Sequence, residues 1–213
     1  MSKNLTVIQT LCPTSKYYLK CGHEMIPEGI VIHNTANDAS AENEINYMLS
    51  NNYYTSFHYA VDDKQAVQGI LLTRNSWNAG DGVNGAGNRK HIAIEICYSK
   101  SGGYRYFAAE DNAAYLTSEL LKQYNWGIDK VKKHQDFSGK FCPHRILSTT
   151  NGWANFLAKV TYYLNYKEPT ATIDTSAYTW KVQCGAFKTQ EQAQSYAKTL
   201  NSKGIATYVY EEK

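Results

Sequence analysis

Residues able to do chemistry crowd into one stretch, His134 to Arg145, where a histidine, a lysine and a cysteine fall within nine residues and Pro143 follows at once. His134 and Cys142 are soft metal ligands, and Lys140 places a cation beside them. A third ligand must come from elsewhere in the chain. His33 is the best donor, because it follows the apolar run Gly29 to Ile32, which reads as a buried strand able to hold it rigidly. Two neutral imidazoles and one thiolate leave Zn2+ with a net positive charge and an open fourth position. Three protein ligands plus water is the catalytic arrangement, whereas structural zinc sites usually close with four.

The set His33, Glu95 in the segment His91 to Ser99, His134, Lys140 and Cys142 resembles the zinc N-acetylmuramoyl-L-alanine amidases. These are the amidase-type phage lysozymes and endolysins, related to the peptidoglycan recognition proteins. The resemblance covers roughly residues 1 to 165 and rests on several separated motifs in the right order. It implies hydrolysis of the amide between the lactyl group of N-acetylmuramic acid and L-alanine of the peptidoglycan stem peptide, with lysis of the wall as the outcome. It also implies Zn2+ as cofactor, held by His33, His134 and Cys142. Amides resist water because the carbonyl is a poor electrophile and the amine a poor leaving group. Zinc polarises the carbonyl and lowers the pKa of bound water to about 7. Glu95 is then expected to accept the water's proton and pass it to the departing nitrogen, and Lys140 to stabilise the oxyanion. A carboxylate inside an otherwise apolar strand is costly unless paired or functional, which marks Glu95 on its own account.

His58 lies where the resembled family often carries a histidine lining the substrate cleft. In the phage-lysozyme branch a catalytic tyrosine precedes it, but here the residue is Phe57, which has no hydroxyl. Any tyrosine-assisted step is thereby in doubt, and the load shifts onto Glu95. The run Trp77-Asn78-Ala79-Gly80 resembles a family motif in which a histidine stands in place of Asn78. Trp77 and Asn78 are therefore candidate substrate contacts, with packing and a simple turn as the alternative. His91 and His144 read as non-ligands.

The elements that must position these groups follow from periodicity. Residues 1 to 28 read as a strand and loops. Gly29 to His33 is a core strand, and a helix begins near Ser40 with Ile45, Met48 and Leu49 as its buried stripe. Ser56 to Val61 and Gln65 to Leu72 form a hairpin across Asp62 to Lys64. Trp77 to Lys90 is rich in Gly and Asn and reads as a long functional loop. Ile92 to Tyr98 is a strand carrying Glu95. Ala113, Leu116, Leu120, Leu121 and Tyr124 stripe one helix, and Trp153, Phe156, Leu157, Val160 and Leu164 another. The run Lys130 to Lys133 reads as a solvated face with one core valine. Strands alternating with helices predict an α/β (α+β) domain on one central mixed β-sheet flanked by helices.

Three parts are expected: a zinc amidase domain over 1–165, a Lys-, Glu-, Pro- and Thr-rich linker over 166–176, and a small β-α-β segment over 177–213. In the last, strands over 178–187 and 205–210 flank a helix opened by a capping box at Thr189 and Gln192. This segment resembles the first half of a SPOR peptidoglycan-binding repeat. It is either a truncated wall-binding module or one that completes its sheet by pairing with another copy, making a homodimer.

The chain has 213 residues and 43% hydrophobic content, enough to bury a full core. A net charge of +3 suits an anionic wall but is too modest for a phosphate-tracking surface, and there is no CxxC framework, so nucleic acid is not expected. No membrane insertion is expected, since no apolar run is long enough to span a bilayer. Without a basic-then-apolar leader, synthesis in the host cytoplasm is expected, with action at the wall after holin-dependent release. The five cysteines show no paired spacing, and buried or half-buried thiols are expected for Cys12, Cys21, Cys97 and Cys184. The competing reading is a recognition module on the same fold that binds muropeptides without cutting them. Such relatives typically lose the zinc cysteine, which this chain keeps.

Overall fold

The computed structural model describes residues 3–166, 185, 187–201, 207 and 209. The chain divides into two compact units, Met1–Glu168 and Pro169–Lys213.

The first unit is an α/β fold on one six-stranded mixed sheet. Its strands are β1 (Thr6–Gln9), β2 (Gly29–Asn34), β3 (Tyr59–Val61), β4 (Gln65–Gln68), β5 (His91–Ile96) and β6 (Val131–Lys133), in the order β1-β4-β3-β5-β2-β6. All neighbours run parallel except the β3–β4 hairpin. The centre is β2 beside β5. Ile30, Ile32, Ile92, Ile94 and Ile96 are fully buried there, as expected for parallel strands covered on both faces. Each such side chain contributes about 1.5–3 kcal/mol through burial.

Helices complete the unit: α1 (Tyr17–Lys20), α2 (Ala41–Ser50), α3 (Ala86–Lys90), α4 (Gly103–Tyr124), α5 (Gln135–Ser138), α6 (His144–Leu147) and α7 (Gly152–Asn165). Ser40 caps α2, its hydroxyl accepting from the Asn43 N–H at 3.3 Å. The helix then buries Ile45 and Met48 against β3 and β4. The long α4 repeats apolar residues at Tyr106, Ala109, Ala113, Leu116 and Leu120, packing on the sheet and on α7.

Three expectations are corrected. The hairpin strands, Tyr59–Val61 and Gln65–Gln68, are shorter than expected; in the first, Ser56 and Phe57 turn their N–H groups away from the sheet, to Trp77 O and Met48 Sδ. The long loop ends in a helix, α3, whose last residue leads directly into β5. The Lys130–Lys133 run is not merely a solvated face, since Val131–Lys133 is an edge strand paired with β2, with Val131 buried and Lys132 exposed.

In the second unit, helix α8 (Gln190–Asn201) starts as its capping box predicts, with Thr189 Oγ1 accepting from Gln192 N–H at 3.3 Å. The expected linker over 166–176 and the strands over 178–187 and 205–210 lie outside the described residues, apart from isolated positions. No helix among the described residues is long and apolar enough to cross a membrane.

Candidate metal centre and active site

Parallel pairing puts His33 directly opposite Glu95 on neighbouring strands, so both side chains project from the same face near the strands' C-terminal ends. His134 arrives from the other side of β2. It follows β6 immediately, and its N–H bonds to Ile32 O. Cys142 is returned to the same point by a closed loop. Gln135 N–H bonds to Cys142 O at 3.0 Å, and Gly139 makes the necessary reversal in the left-handed region at φ 77°. Arg145 then ties the loop to the sheet, its N–H bonding to Asn34 Oδ1 at 2.9 Å and its Nε–H to Ser99 O at 2.8 Å.

The result is a cluster of His33, His134 and Cys142 whose ligand atoms lie within 4.8 Å of one another. Cys142 Sγ is 3.8 Å from His33 Nδ1, and the imidazole centroids are 4.6 Å apart. Tetrahedral coordination at ordinary Zn–N and Zn–S lengths separates ligand atoms by about 3.4–3.8 Å, so small side-chain adjustments suffice. The side chains are nearly enclosed, at 2%, 5% and 5% exposure.

The donor set is consistent with a metal ion on further grounds. His134 Nδ1 is buried without a hydrogen-bond partner among the described residues. The ring is held through its other nitrogen by the backbone of Ala79. His33 pairs through Nε2 with Asn78 Oδ1 at 3.1 Å, which leaves its Nδ1 lone pair facing the sulfur. Cys142 Sγ receives backbone N–H groups from Asn34 and His144, which favour a thiolate. Burial, helped by His134, holds His33 down to about 3, and burial with the Lys140 cation lowers His134. Both rings are therefore neutral and able to ligate. Burial, then Glu95, pushes the Cys142 thiol up to about 11, a tendency that a bound dication reverses by deprotonating a coordinating thiol outright.

Glu95 stands beside this cluster with Oε2 buried and unpartnered among the described residues. Burial pushes its carboxyl up to about 8, Glu44 adds to the rise, and Lys140 opposes it. Lys140 is exposed on the loop that carries Cys142, near enough to act on Glu95, both histidines and the thiol.

The remaining candidates are placed differently from one another. Trp77 is half-buried, edge-on to His23 with ring centroids 5.7 Å apart, and its Nε1 has no partner among the described residues. Asn78 turns its amide onto His33 and Ser76. His58 is 0% exposed and both of its ring nitrogens are engaged by protein groups, so it supports the site from behind rather than lining a cleft. Phe57 packs in the core at 7% exposure, with its N–H on Met48 Sδ. His91 bonds to Ala86 O and packs on Phe137, outside the cluster.

Residues with no distinguishing sequence signal turn out to shape the site. Asn88 Oδ1 accepts from the N–H groups of both Asn78 and Ala79 at 2.8 Å. Asp81 accepts from Gly87 N–H at 2.7 Å. Gly87 is required there, since a Cβ would stand 2.4 Å from Ala79 and 2.8 Å from the Phe137 ring. The only hint of this in the sequence was an unusual density of Asn and Gly.

The family model described as N-acetylmuramoyl-L-alanine amidase matches residues 23–145, and the SPOR domain model matches residues 176–213. The N-acetylmuramoyl-L-alanine amidase CwlA of Bacillus subtilis (strain 168) is 62% identical over 144 residues, covering 68% of this chain and 53% of CwlA. The amidase XlyB of the same organism is 52% identical over 184 residues, covering 85% of this chain and 58% of XlyB. The chain thus spans a little over half the length of these curated relatives. Among solved structures, the PlyG catalytic domain superposes with TM-score 0.72 at 52% identity, covering 76% of this chain and 96% of that one. PlyL superposes with TM-score 0.70 at 54% identity, covering 73% and 97%. The chain belongs to the N-acetylmuramoyl-L-alanine amidase family.

Proposed function

We propose that the protein hydrolyses the amide between N-acetylmuramic acid and L-alanine in bacterial peptidoglycan, using Zn2+ held by His33, His134 and Cys142. The observation that carries this reading is the convergence of two imidazole Nδ1 lone pairs and one thiol beside a carboxyl with an unpartnered oxygen. Relatives that are themselves named for this amidase activity support it.

When bound, zinc polarises the scissile carbonyl and acidifies a water molecule at neutral pH. Glu95 accepts the proton of the attacking water and delivers it to the departing nitrogen. Its raised affinity for a proton suits the second half of that task, in which it must hold the proton until the nitrogen departs. Lys140, on a loop closed at both ends, stabilises negative charge developing on the carbonyl oxygen. His33 and His134, held neutral by burial, remain ligands at wall-relevant pH. Asn78 serves His33, and Trp77 is the residue of its motif left to meet substrate.

Residues 1–165 then form the catalytic domain. Residues 166–176 form a linker, and 177–213 a SPOR-like segment that binds the wall or pairs two copies, a division supported by the SPOR match. The setting this fits is a phage or prophage endolysin acting on the wall after release.

The deciding experiment digests purified peptidoglycan with and without chelator and assays the new ends. New alanine N-termini without new reducing sugars, lost with chelator and restored by zinc, are expected. New reducing ends would mean a glycosidase. Wall binding without new ends would leave a recognition module.

A further inference from the structure

Resting on the metal-dependent reading above, the geometry points to Asn78 as the positioning residue that fixes the tautomer and orientation of His33, through a polar chain running from Asn78 by way of Ser76 to His58. Proton positions along this chain follow from its backbone partners. His58 Nε2 lies 2.9 Å from Arg74 O, which only accepts, so Nε2 carries the proton. His58 Nδ1 is therefore an acceptor, and it takes the Ala93 N–H at 3.0 Å. Ser76 Oγ lies 3.2 Å from the same nitrogen, where its hydroxyl can share the one lone pair with the Ala93 N–H. Asn78 Nδ2 lies 2.8 Å from Ser76 Oγ and 3.4 Å from the backbone carbonyl oxygens of Ser76 and Gly87, which only accept, so Nδ2 is the donor end. That settles the amide: Oδ1 is the end facing His33 Nε2 at 3.1 Å. An amide oxygen only accepts, so His33 is the Nε2–H tautomer and presents the Nδ1 lone pair to the ligand cluster.

Backbone groups, the Arg74 carbonyl and the Ala93 N–H at one end and the Ser76 and Gly87 carbonyls at the other, thus set the polarity of a chain that ends on a candidate metal ligand. His58 and Ser76 are fully buried, so water does not compete for these bonds. The backbone of Asn78 is held as firmly as its side chain, because Asn88 Oδ1 accepts from both Asn78 and Ala79. Ala79 in turn holds His134. One loop therefore aims both imidazoles.

The test measures zinc affinity of the full chain by chelator competition, and the His33 tautomer of the metal-free protein by imidazole 15N shifts. Asn78→Leu, which removes the acceptor, is expected to weaken zinc binding about 10- to 100-fold and to release the tautomer. Asn78→Asp, which keeps an acceptor against Nε2–H, is expected to retain affinity within a few-fold of the parent. Equal affinity and an unchanged tautomer in Asn78→Leu would overturn the inference, even if its melting temperature fell. Should that variant not fold, Asn78→Ala decides, since it removes the same acceptor with a smaller side chain: a mixed His33 tautomer supports the inference, and a single unchanged one overturns it. If the parent protein binds no zinc, the amidase reading fails, while the tautomer of His33 still tests the positioning on its own.

Discussion

At the scale of single residues, the site separates groups that bind from groups that move protons. Glu95 and Lys140 are both charged residues near one cluster, yet one is half-buried with a buried, unpartnered oxygen and the other is exposed on a loop. Glu95→Gln keeps the shape and removes the proton acceptor. It should lower amide hydrolysis by about 10²- to 10⁴-fold with zinc content unchanged, which metal analysis beside an end-group assay will check. Lys140→Ala should cost about 10²- to 10³-fold in turnover with little change in KM, as expected for charge that develops only in the transition state. The roles of His58 and Asn78 could not be read from residue type. A histidine in a short polar run and an asparagine beside a tryptophan are equally compatible with touching substrate, and only the buried chain through Ser76 shows where their polar atoms go.

At the scale of elements, the site is made by register and by one tethered loop. Pairing of His33 with Glu95 across β2 and β5 aligns them on one face, and a one-residue slip would turn one of them into the opposite layer. The loop from Trp77 to Lys90 is held by side chains rather than by a ladder. Asn88→Ala would strip two backbone N–H groups of their acceptor. The expected cost is about 1–3 kcal/mol, read as a lower urea midpoint, together with weaker zinc binding because both imidazoles lean on this loop. Gly139→Ala, at φ 77° with open space around it, should destabilise by about 1 kcal/mol through backbone strain alone.

At the scale of the whole molecule, buried neutral histidines couple folding to acid. His58 is held down to about 4 by burial, partly offset by its bond to the Arg74 carbonyl. The unfolded chain takes up that proton near pH 6.5, so the contribution is complete above 6.5 and is lost as pH falls through 4. It amounts to on the order of 3 kcal/mol, visible as a falling urea midpoint for the metal-free protein between those pH values. Zinc should add to stability by mass action, about 4 kcal/mol at a free concentration a thousand times Kd. Stripping the ion should therefore lower the melting temperature in proportion.

Local pattern was enough for much of this protein. The apolar β-branched runs of β2 and β5, the stripe of α4, the Ser40 cap and the Thr189 capping box all express chemistry carried within a few neighbouring residues. Of the candidate site residues, Glu95 and Cys142 stand out locally, as a carboxylate in an apolar strand and a cysteine shortly after a histidine and a lysine, whereas His33 joined them through the family resemblance. What the fold alone decided concerns partners distant in sequence. Val131–Lys133 looked like a charged surface run and became a strand because β2 offers it an edge. The end of the Gly-rich loop became helical where its glycine lets Phe137 and Ala79 pack closely. His58 became a support rather than a contact because Arg74, Ser76 and Ala93 close around it. Hydrogen bonds of that kind depend on positions to within tenths of an ångström between segments dozens of residues apart, and no local pattern in a chain encodes such distances.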